Sequence, residues 1–286
     1  MFFCMQKGRP SRTALGAASH RAAHQVLERG VIFTDPLAMC ILGTDAEAAV
    51  REAENDPSKR RLRLFIAVRT RFAEDALATA VVCRGVRQLV VLGAGLDTYA
   101  YRTSFGESLR IFEVDHPATQ AWKRQRLAAA SIRTPRALVF APVDFERETL
   151  EDGLTAVGFD LVQQTFFTWL GVVPYLTEPA VFSTLGFIAS LAGGAHVVFD
   201  YSNPPASGPD QAEYAATHAT LAARVASLGE AFKCAFETDK LHAKLSALGF
   251  REVEDLGPAL ILERYFAKHE GSLTDTGGHI VRATTV

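Results

Sequence analysis

The sequence has 286 residues, of which 48% are hydrophobic and 22% charged, with 30 Lys and Arg against 32 Asp and Glu. This apolar content excludes a mainly disordered chain, and the near-neutral charge removes the attraction on which non-specific nucleic-acid binding depends. The length fits one α/β domain with embellishments, so we expect a single domain over residues 1–286. We expect a small-molecule partner, no nucleic acid and no membrane, and the sequence does not indicate an oligomeric state.

The N-terminus starts with a short apolar run but has no preceding positive charge and no apolar stretch of the length that a signal peptide needs, so we expect a cytoplasmic protein by default. The uncharged stretch 179–199 is long enough to span a bilayer, but Ser, Thr, Gly and His residues interrupt it. A helix over 179–192 followed by a buried strand over 195–201 explains the same residues better.

Residues 1–85 are predicted to form a helical N-terminal extension. The stretch 14–28 is rich in alanine, Asp35 and Pro36 fit a helix cap and a first-turn proline, and 57–83 has no internal Gly or Pro. The basic residues at the start of the last helix are expected to face solvent; they are Lys59, Arg60, Arg61 and Arg63.

After Gly85, short runs rich in Val, Ile, Leu and Phe alternate with helical stretches. Near-continuous apolar strands separated by helices indicate a largely parallel sheet that is covered on both faces. We therefore predict a doubly wound, mostly parallel seven-stranded α/β core over residues 86–267. The predicted strands are Gln88–Leu92, 109–114, 137–141, 159–166, 195–201, 250–253 and 259–266.

Two segments depart from this alternation. Residues 202–240, after the fifth predicted strand, begin with a turn-rich stretch and continue as a helical pattern over 211–228. Such an insertion is where α/β proteins build lids and specificity pockets, and it is equally compatible with a surface helix that covers the sheet. Residues 268–286 are polar and rich in Gly and Thr, which predicts a loosely held tail.

The strand Gln88–Leu92 runs into a turn that carries Gly93 and Gly95 and opens a helix. Asp115 ends the next strand, at the distance from the glycines where an acid accepts hydrogen bonds from both hydroxyls of a ribose. This layout predicts a nucleoside-cofactor site. Thr98 stands where the dinucleotide fingerprint has its third glycine, so the spacing favours S-adenosylmethionine while leaving a dinucleotide open.

Arg69 projects from an apolar stripe, because Leu62, Phe65, Ile66 and Arg69 are spaced to share one helical face. A guanidinium in such surroundings needs an anion, and a carboxylate offers bidentate geometry. The partner is either a ligand carboxylate or an internal salt bridge, and the sequence leaves both open.

Several short motifs follow one another along the chain in a characteristic order and spacing. They are 11–14, 35–36, 68–72, 92–98 with Tyr101 and Arg102, 112–117, and 143–145. Their combination resembles the leucine carboxyl methyltransferase-like family, and the resemblance covers residues 11–201. That family comprises class I S-adenosylmethionine-dependent methyltransferases with a Rossmann-like fold, many of them bacterial proteins of unassigned substrate.

The resemblance implies roles for individual residues. Asp115 would bind the ribose hydroxyls, and Asp144 with Phe145 would hold the adenine. On the methionine side, the resemblance implies that Arg69 binds the carboxylate, that Arg12 stands where the family has a Lys or Arg in the same pocket, and that the glycines Gly93 and Gly95 face this half of the cofactor.

The segment after the fourth predicted strand matches the family pattern at Gly171 and Tyr175 but departs from it at Leu170, where protein-carboxyl-methylating members have a glutamate. This difference removes a polar cofactor contact and weakens any transfer of the substrate. Tyr175 is the candidate catalytic residue, since the resemblance places it near the methyl-transfer site. An interior tyrosine with a satisfied hydroxyl is equally compatible with the sequence.

The histidines and cysteines do not form metal-ligand spacings, and no nucleophile-elbow or phosphate-loop motif occurs, so we expect no metal. The sequence therefore predicts an S-adenosylmethionine-dependent methyltransferase that methylates an oxygen, in a carboxylate or a hydroxyl, of a small molecule. An NAD(P)-dependent oxidoreductase and a cofactor-binding protein without turnover are the alternatives.

Overall fold

A computed structural model describes residues 11–144, 148–205, 212–227, 229–266 and 277–286. Seven strands form one sheet in the order β3-β2-β1-β4-β5-β7-β6. They are β1 (Gln88–Leu92), β2 (Arg110–Asp115), β3 (Leu138–Pro142), β4 (Thr165–Trp169), β5 (Ala195–Ser202), β6 (Glu252–Leu256) and β7 (Gly278–Thr284).

The helices of the described residues fall into an N-terminal group and a group that covers the sheet. The first are α1 (Arg12–Leu27), α2 (Ala38–Leu42), α3 (Ala46–Asn55) and α4 (Arg60–Arg84). The second are α5 (Tyr99–Arg102), α6 (Pro117–Ala129), α7 (Leu150–Ala156), α8 (Glu178–Ser190), α9 (Ala212–Ser227), α10 (Thr238–Leu248) and α11 (Pro258–Tyr265).

The first five strands are parallel, and β7 pairs antiparallel with both β5 and β6. This arrangement confirms the predicted mostly parallel, doubly wound sheet. The chain builds outward from β1 to β2 and β3 on one side and to β4 and β5 on the other. A crevice therefore opens beyond the carboxyl ends of β1 and β4, where open α/β sheets bind their ligands.

Both faces of the sheet are buried, as the continuous apolar strands predict. In β1 the side chains of Leu89 and Val91 pack on one face against α4, whereas Val90 and Leu92 pack on the other face with residues of α7 and α8. This alternation follows from the two-residue period of a strand. The two cores fix β1 from both sides and so hold the turn that follows it.

The helical N-terminal extension is confirmed for residues 11–84. Helix α1 approaches its neighbours closely because small side chains face them, with Ala18 and Ala22 fully buried against α2 and α3. Helix α4 lies along the sheet and ends at Gly85, which has φ of 75°. One residue expected to face solvent, Arg63, is instead 3% exposed and paired with Glu28.

Two predicted strands are wrong in extent or type. The fourth strand begins at Thr165, later than the predicted 159–166, and the stretch 259–266 belongs to helix α11. A short apolar run fits a strand and a buried helix turn equally well, and the Gly257-Pro258 pair at its start is a helix N-terminus with proline at the first position.

The predicted loose tail over 268–286 is also wrong for its described part. Residues 278–284 form β7, and Ile280, Val281 and Ala283 are fully buried. The strand is short, and its few apolar side chains do not change the polar composition of the whole segment. Composition alone therefore does not reveal it. Helix α9 confirms the predicted helix of the insertion within the described residues.

In the stretch that has the length of a membrane span, α8 ends at Ser190 and β5 starts at Ala195, as predicted. Among the described residues, none of the helices combines the length and the apolarity that crossing a bilayer requires.

Candidate active site

A cleft lies at the carboxyl ends of β1 and β4, walled by α1, α4 and the loops that follow β1 to β4. Most of the predicted site residues line it: Arg69, Gly93, Gly95, Asp115 and Asp144. Arg12 and Tyr175 do not line it, and Phe145 lies outside the described residues.

The turn after β1 forms the floor of the cleft. Gly93 and Gly95 both have positive φ, 65° and 46°. At Gly95 a Cβ atom would stand 2.9 Å from the Cβ of Ala14 in α1, so a side chain there would push the helix away. The backbone N–H of Gly95 donates to Asp115 Oδ2 at 2.6 Å, which ties the turn to the end of β2.

Within the described ranges, Asp115 has one further partner, the backbone N–H of His116, which donates to Oδ1 at 2.7 Å. Burial raises the pKa of Asp115, whereas these two N–H groups and the Lys123 charge lower it. A carboxylate has about four acceptor positions, so two remain for the hydroxyls of a ribose. His116 itself caps α6, because its Nδ1 accepts from the backbone N–H of Ala118.

Asp144 lines the same wall beyond Asp115, after β3. Its backbone N–H donates to Glu148 Oε2 at 3.3 Å. The cleft continues over the apolar side chains of Val143 and Leu150. This wall therefore combines a carboxylate with an apolar surface.

Arg69 reaches the opposite end of the cleft from α4. Its Nη1 donates to Asp200 Oδ2 at 2.8 Å, so the internal salt bridge left open by the sequence exists. However, among the described residues the buried Nε of Arg69 has no hydrogen-bond partner, and the only hydrogen bond of the guanidinium is the one from Nη1 to Asp200. The Nε and Nη2 atoms form the edge of a guanidinium that binds a carboxylate in bidentate fashion.

A second arginine, Arg21, lines the cleft and was not predicted. Its Nη2 donates to the carbonyl oxygen of Leu96 at 2.5 Å, and its Nε lies 3.4 Å from Asp35 Oδ2. Arg12 is exposed at the start of α1. The signal that could have found Arg21 is the spacing of Ala14, Ala17 and Arg21, which places a charged residue on the stripe of small residues that faces the cleft.

Asp35, the ion-pair partner of Arg21, is itself part of a buried polar network. This carboxylate is 1% exposed and also accepts from the Thr98 hydroxyl at 2.7 Å and from the backbone N–H of Leu37. Arg102 joins the same network and pairs with Glu74. Burial raises the pKa of Glu74, whereas the hydrogen bond and the charge of Arg102 lower it.

Leu170, which stands where the family pattern has a glutamate, lines the cleft. Tyr175 lies beyond it, with its ring centroid 5.3 Å from that of Phe232. Burial raises the pKa of Tyr175, while the nearby Arg69 charge lowers it. Among the described residues its hydroxyl has no hydrogen-bond partner, so the neutral phenol is available to donate.

A roof closes the cleft on the side of α1. Ser11, Thr13, Ala14 and Ala17 line the cleft, and the first turn of their helix is bound by Glu230. The Glu230 carboxylate accepts from the backbone N–H of Arg12 at 2.9 Å and of Thr13 at 3.1 Å.

The segment that follows Glu230 is attached at the opposite side of the cleft. The backbone N–H of Lys233 donates to the carbonyl oxygen of Pro174 at 2.7 Å, beside Tyr175. The segment 230–233 therefore connects the start of α1 to the loop after β4. In the described part of the chain, no group of three or more His, Cys, Asp or Glu side chains is placed to hold a metal ion.

Known proteins are similar to this chain in sequence and in fold. The family profile described as leucine carboxyl methyltransferase matches residues 14–189. YktD of Bacillus subtilis, assigned as an S-adenosyl-L-methionine-dependent methyltransferase, is 30% identical over 94% of this chain and 96% of its own. A Mycobacterium avium protein with the same assignment is 34% identical over 71% of this chain and 70% of its own.

A crystal structure assigned as a methyltransferase from Thermobifida fusca aligns with a TM-score of 0.59 at 14% identity, covering 97% of this chain and 96% of that one. This likeness concerns the fold, which is the Rossmann-like sheet predicted above. The profile matches more than half of the chain, and the similarity to YktD extends over nearly all of it. The chain therefore belongs to the leucine carboxyl methyltransferase family, and it is an S-adenosylmethionine-dependent methyltransferase.

Proposed function

We propose that the protein transfers the methyl group of S-adenosylmethionine to an oxygen atom of a small molecule, and that this oxygen belongs to an ionised carboxylate. The observation that carries the cofactor assignment within the cleft is the Nε and Nη2 edge of Arg69, which makes no hydrogen bond to any described residue and whose Nε is buried. A buried guanidinium with unpaired N–H groups is costly, and the methionine carboxylate is an anion of matching shape.

The residues on the cleft wall fit both halves of the cofactor. Asp115 and Asp144 stand where the ribose and the adenine would lie, while Arg69 and Arg21 would share the methionine carboxylate. Arg21 thereby takes the place that the sequence assigned to Arg12. Leu170 stands where the family pattern has a glutamate, so the methionine ammonium would lack that partner. Asp97 also lines the cleft and is the carboxylate that would replace it.

Bound S-adenosylmethionine supplies a methyl group on a sulfonium, which is already electrophilic. The protein then has to align an acceptor with the methyl group and exclude water. An alcohol or amine would need a base to take its proton, but an ionised carboxylate would not. The imidazole on the cleft wall, His116, is committed to capping α6, which supports an acceptor that arrives without a proton.

Tyr175 is not itself a cleft-lining residue, but it lies between Val172 and Leu176, which are, and it is our candidate for contacting the acceptor. Because burial raises its pKa, the phenol stays protonated at neutral pH and would donate a hydrogen bond rather than accept a proton. Such a bond would orient one carboxylate oxygen while the other faces the methyl group. Glu230, in the segment after α9, binds the first turn of α1, which lines the cleft, and this attachment supports a small molecule rather than a protein tail as the acceptor.

The test uses S-adenosylmethionine with an isotopic label in the transferable methyl group and a panel of small carboxylic acids, phenols and amines. Methyl esters release labelled methanol in mild alkali, whereas methyl ethers and methylamines do not. We expect label transfer with alkali-labile product for at least one carboxylic acid. The matched control is Tyr175→Phe, which should lower kcat for that acceptor and leave cofactor binding unchanged.

The same assay separates the alternatives. Label in alkali-stable product only would refute the carboxylate acceptor while leaving methyl transfer intact. Cofactor binding without transfer to any acceptor would support a binding protein without turnover. The family membership argues against the dinucleotide-dependent oxidoreductase that the glycine turn left open, and calorimetric titration with NAD and NADP checks it directly.

A further inference from the structure

Asp200 lies near the end of β5, between two walls of the methionine end of the cleft. Its Oδ2 accepts from Arg69 Nη1 at 2.8 Å, and its Oδ1 accepts from the backbone N–H of Gly171 at 2.6 Å. Asp200 is 4% exposed. It is not one of the cleft-lining residues, so it acts on the cleft through these two partners.

Gly171 and Arg69 are in close contact with each other. A Cβ at position 171 would stand 2.6 Å from Arg69 Nη2, and the backbone there has φ of 71°. The absence of a side chain therefore lets the guanidinium lie flat against the loop after β4. With Nη1 bound by Asp200, the Nε and Nη2 edge of Arg69 makes no hydrogen bond within the part of the chain that the structure describes.

A second arginine of the same helix shows what happens when no such arrangement exists. Arg63 lies six residues before Arg69 in α4 and is also buried. Its Nε and Nη2 edge is occupied by both oxygens of Glu28, at 2.9 and 2.7 Å. Glu28 therefore covers the bidentate edge of Arg63, whereas Asp200 binds Arg69 through Nη1.

We propose that Asp200 is a positioning residue for the cofactor: it binds Arg69 by Nη1 and the Gly171 backbone by N–H, and so presents the bidentate edge of Arg69 to the methionine carboxylate. Asp200 contacts no part of the cofactor. Its effect is confined to the amino-acid half, because its two partners lie at that end and not at Asp115.

This inference rests on the use of S-adenosylmethionine, and two probes keep it distinct from that assignment. S-adenosylhomocysteine has the adenosine and the amino-acid group, whereas 5′-methylthioadenosine has the adenosine and the sulfur but no carboxylate. We expect Asp200→Asn to weaken S-adenosylhomocysteine binding about tenfold or more, the effect of losing a well-placed charged hydrogen bond. Binding of 5′-methylthioadenosine should change less than about twofold.

The matched control is Glu28→Gln, which breaks a carboxylate–arginine pair of similar burial on the same helix. It should lower thermal stability without changing the ratio of the two dissociation constants. In an Arg69→Gln background, Asp200→Asn should add little to the loss, because the residue through which it acts is gone. If Asp200→Asn does not fold, Asp200→Glu carries the same comparison, with the longer side chain misplacing the guanidinium.

Equal weakening of both probes by Asp200→Asn, or no weakening of either, would overturn the inference. So would a full additional loss in the Arg69→Gln background. Failure of the unmodified protein to bind either probe would instead contradict the use of S-adenosylmethionine, which is a different outcome with a different cause.

Discussion

The Lys123 ammonium lies 2.7 Å from Glu113 Oε2 inside the protein, and each side chain is 1% exposed. Glu113 lies two residues before Asp115 on β2, and Lys123 lies on helix α6. Burial raises the pKa of Glu113 to about 7, although the Lys123 charge lowers it. The state of this pair therefore changes within the neutral pH range.

Lys123→Met should lower the free energy of unfolding by about 3–5 kcal/mol at pH 8, since it leaves a buried carboxylate uncompensated. The pKa of Glu113 is higher in the folded than in the unfolded state. Its stabilising contribution is therefore complete below about pH 4.5 and lost as the pH rises through about 7. The deficit of the variant should accordingly shrink at pH 5, as measured by urea unfolding. An equal deficit at both pH values would refute this account.

Asp115→Ala should weaken the binding of S-adenosylhomocysteine and 5′-methylthioadenosine alike, by about a hundredfold, because both carry the ribose. The Gly95 N–H loses its acceptor as well, which loosens the turn. Isothermal titration calorimetry gives both constants. An unchanged dissociation constant for either probe would remove Asp115 from the ribose site.

Arg21→Gln should weaken S-adenosylhomocysteine binding by about tenfold, whereas Arg12→Gln should leave it within about twofold. The first side chain lines the cleft beside Leu96, and the second is exposed at the start of α1. The same calorimetric titration compares them. A larger effect from Arg12 would restore the assignment made from the sequence and contradict the structure.

Gly171→Ala should abolish the difference in affinity between the two probes, because a Cβ there collides with Arg69 Nη2. Gly85→Ala is the matched control: it has a similar φ, 75° against 71°, but open space around the new methyl group. Both variants should lose about 1 kcal/mol of stability from the backbone alone. Only the first should lose cofactor affinity.

Glu230→Gln should loosen the first turn of α1, at a cost of about 1 kcal/mol, since two backbone N–H groups lose a charged acceptor. Faster amide hydrogen exchange confined to residues 12–16, read by mass spectrometry, is the expected result. Glu237→Gln, which breaks an exposed pair with Lys240, provides the control. Uniform exchange changes across the chain would indicate a general loss of stability instead.

Much of the site could be predicted because its parts are local in sequence. The Gly93 and Gly95 turn and the acid at Asp115 follow from one strand, one turn and the next strand, and their spacing is set by the length of a βαβ unit. The same locality made the parallel core predictable from alternating apolar runs.

The residues that were missed depend on contacts between distant parts of the chain. Arg21 faces the cleft only because α1 packs across the turn after β1, and Asp200 meets Arg69 across 131 residues. Asp200 did carry a signal, since it is an acid within an apolar strand next to the carboxyl edge of the sheet. Arg12 is exposed and does not line the cleft, since a motif match fixes a position in sequence but not the direction of the side chain.

The position of β7 has a consequence for how the molecule assembles. Among the described strands β6 pairs with β7 alone, and one edge of β5 is covered by β7. During synthesis, β5 and β6 must wait for residues 278–284 before either finds this partner. An unpaired apolar edge is a site for aggregation, so the interval between the emergence of β5 and that of β7 is the vulnerable period of folding. Variants that shorten or weaken β7 should therefore reduce the yield of soluble protein more than they reduce the stability of the molecules that do fold.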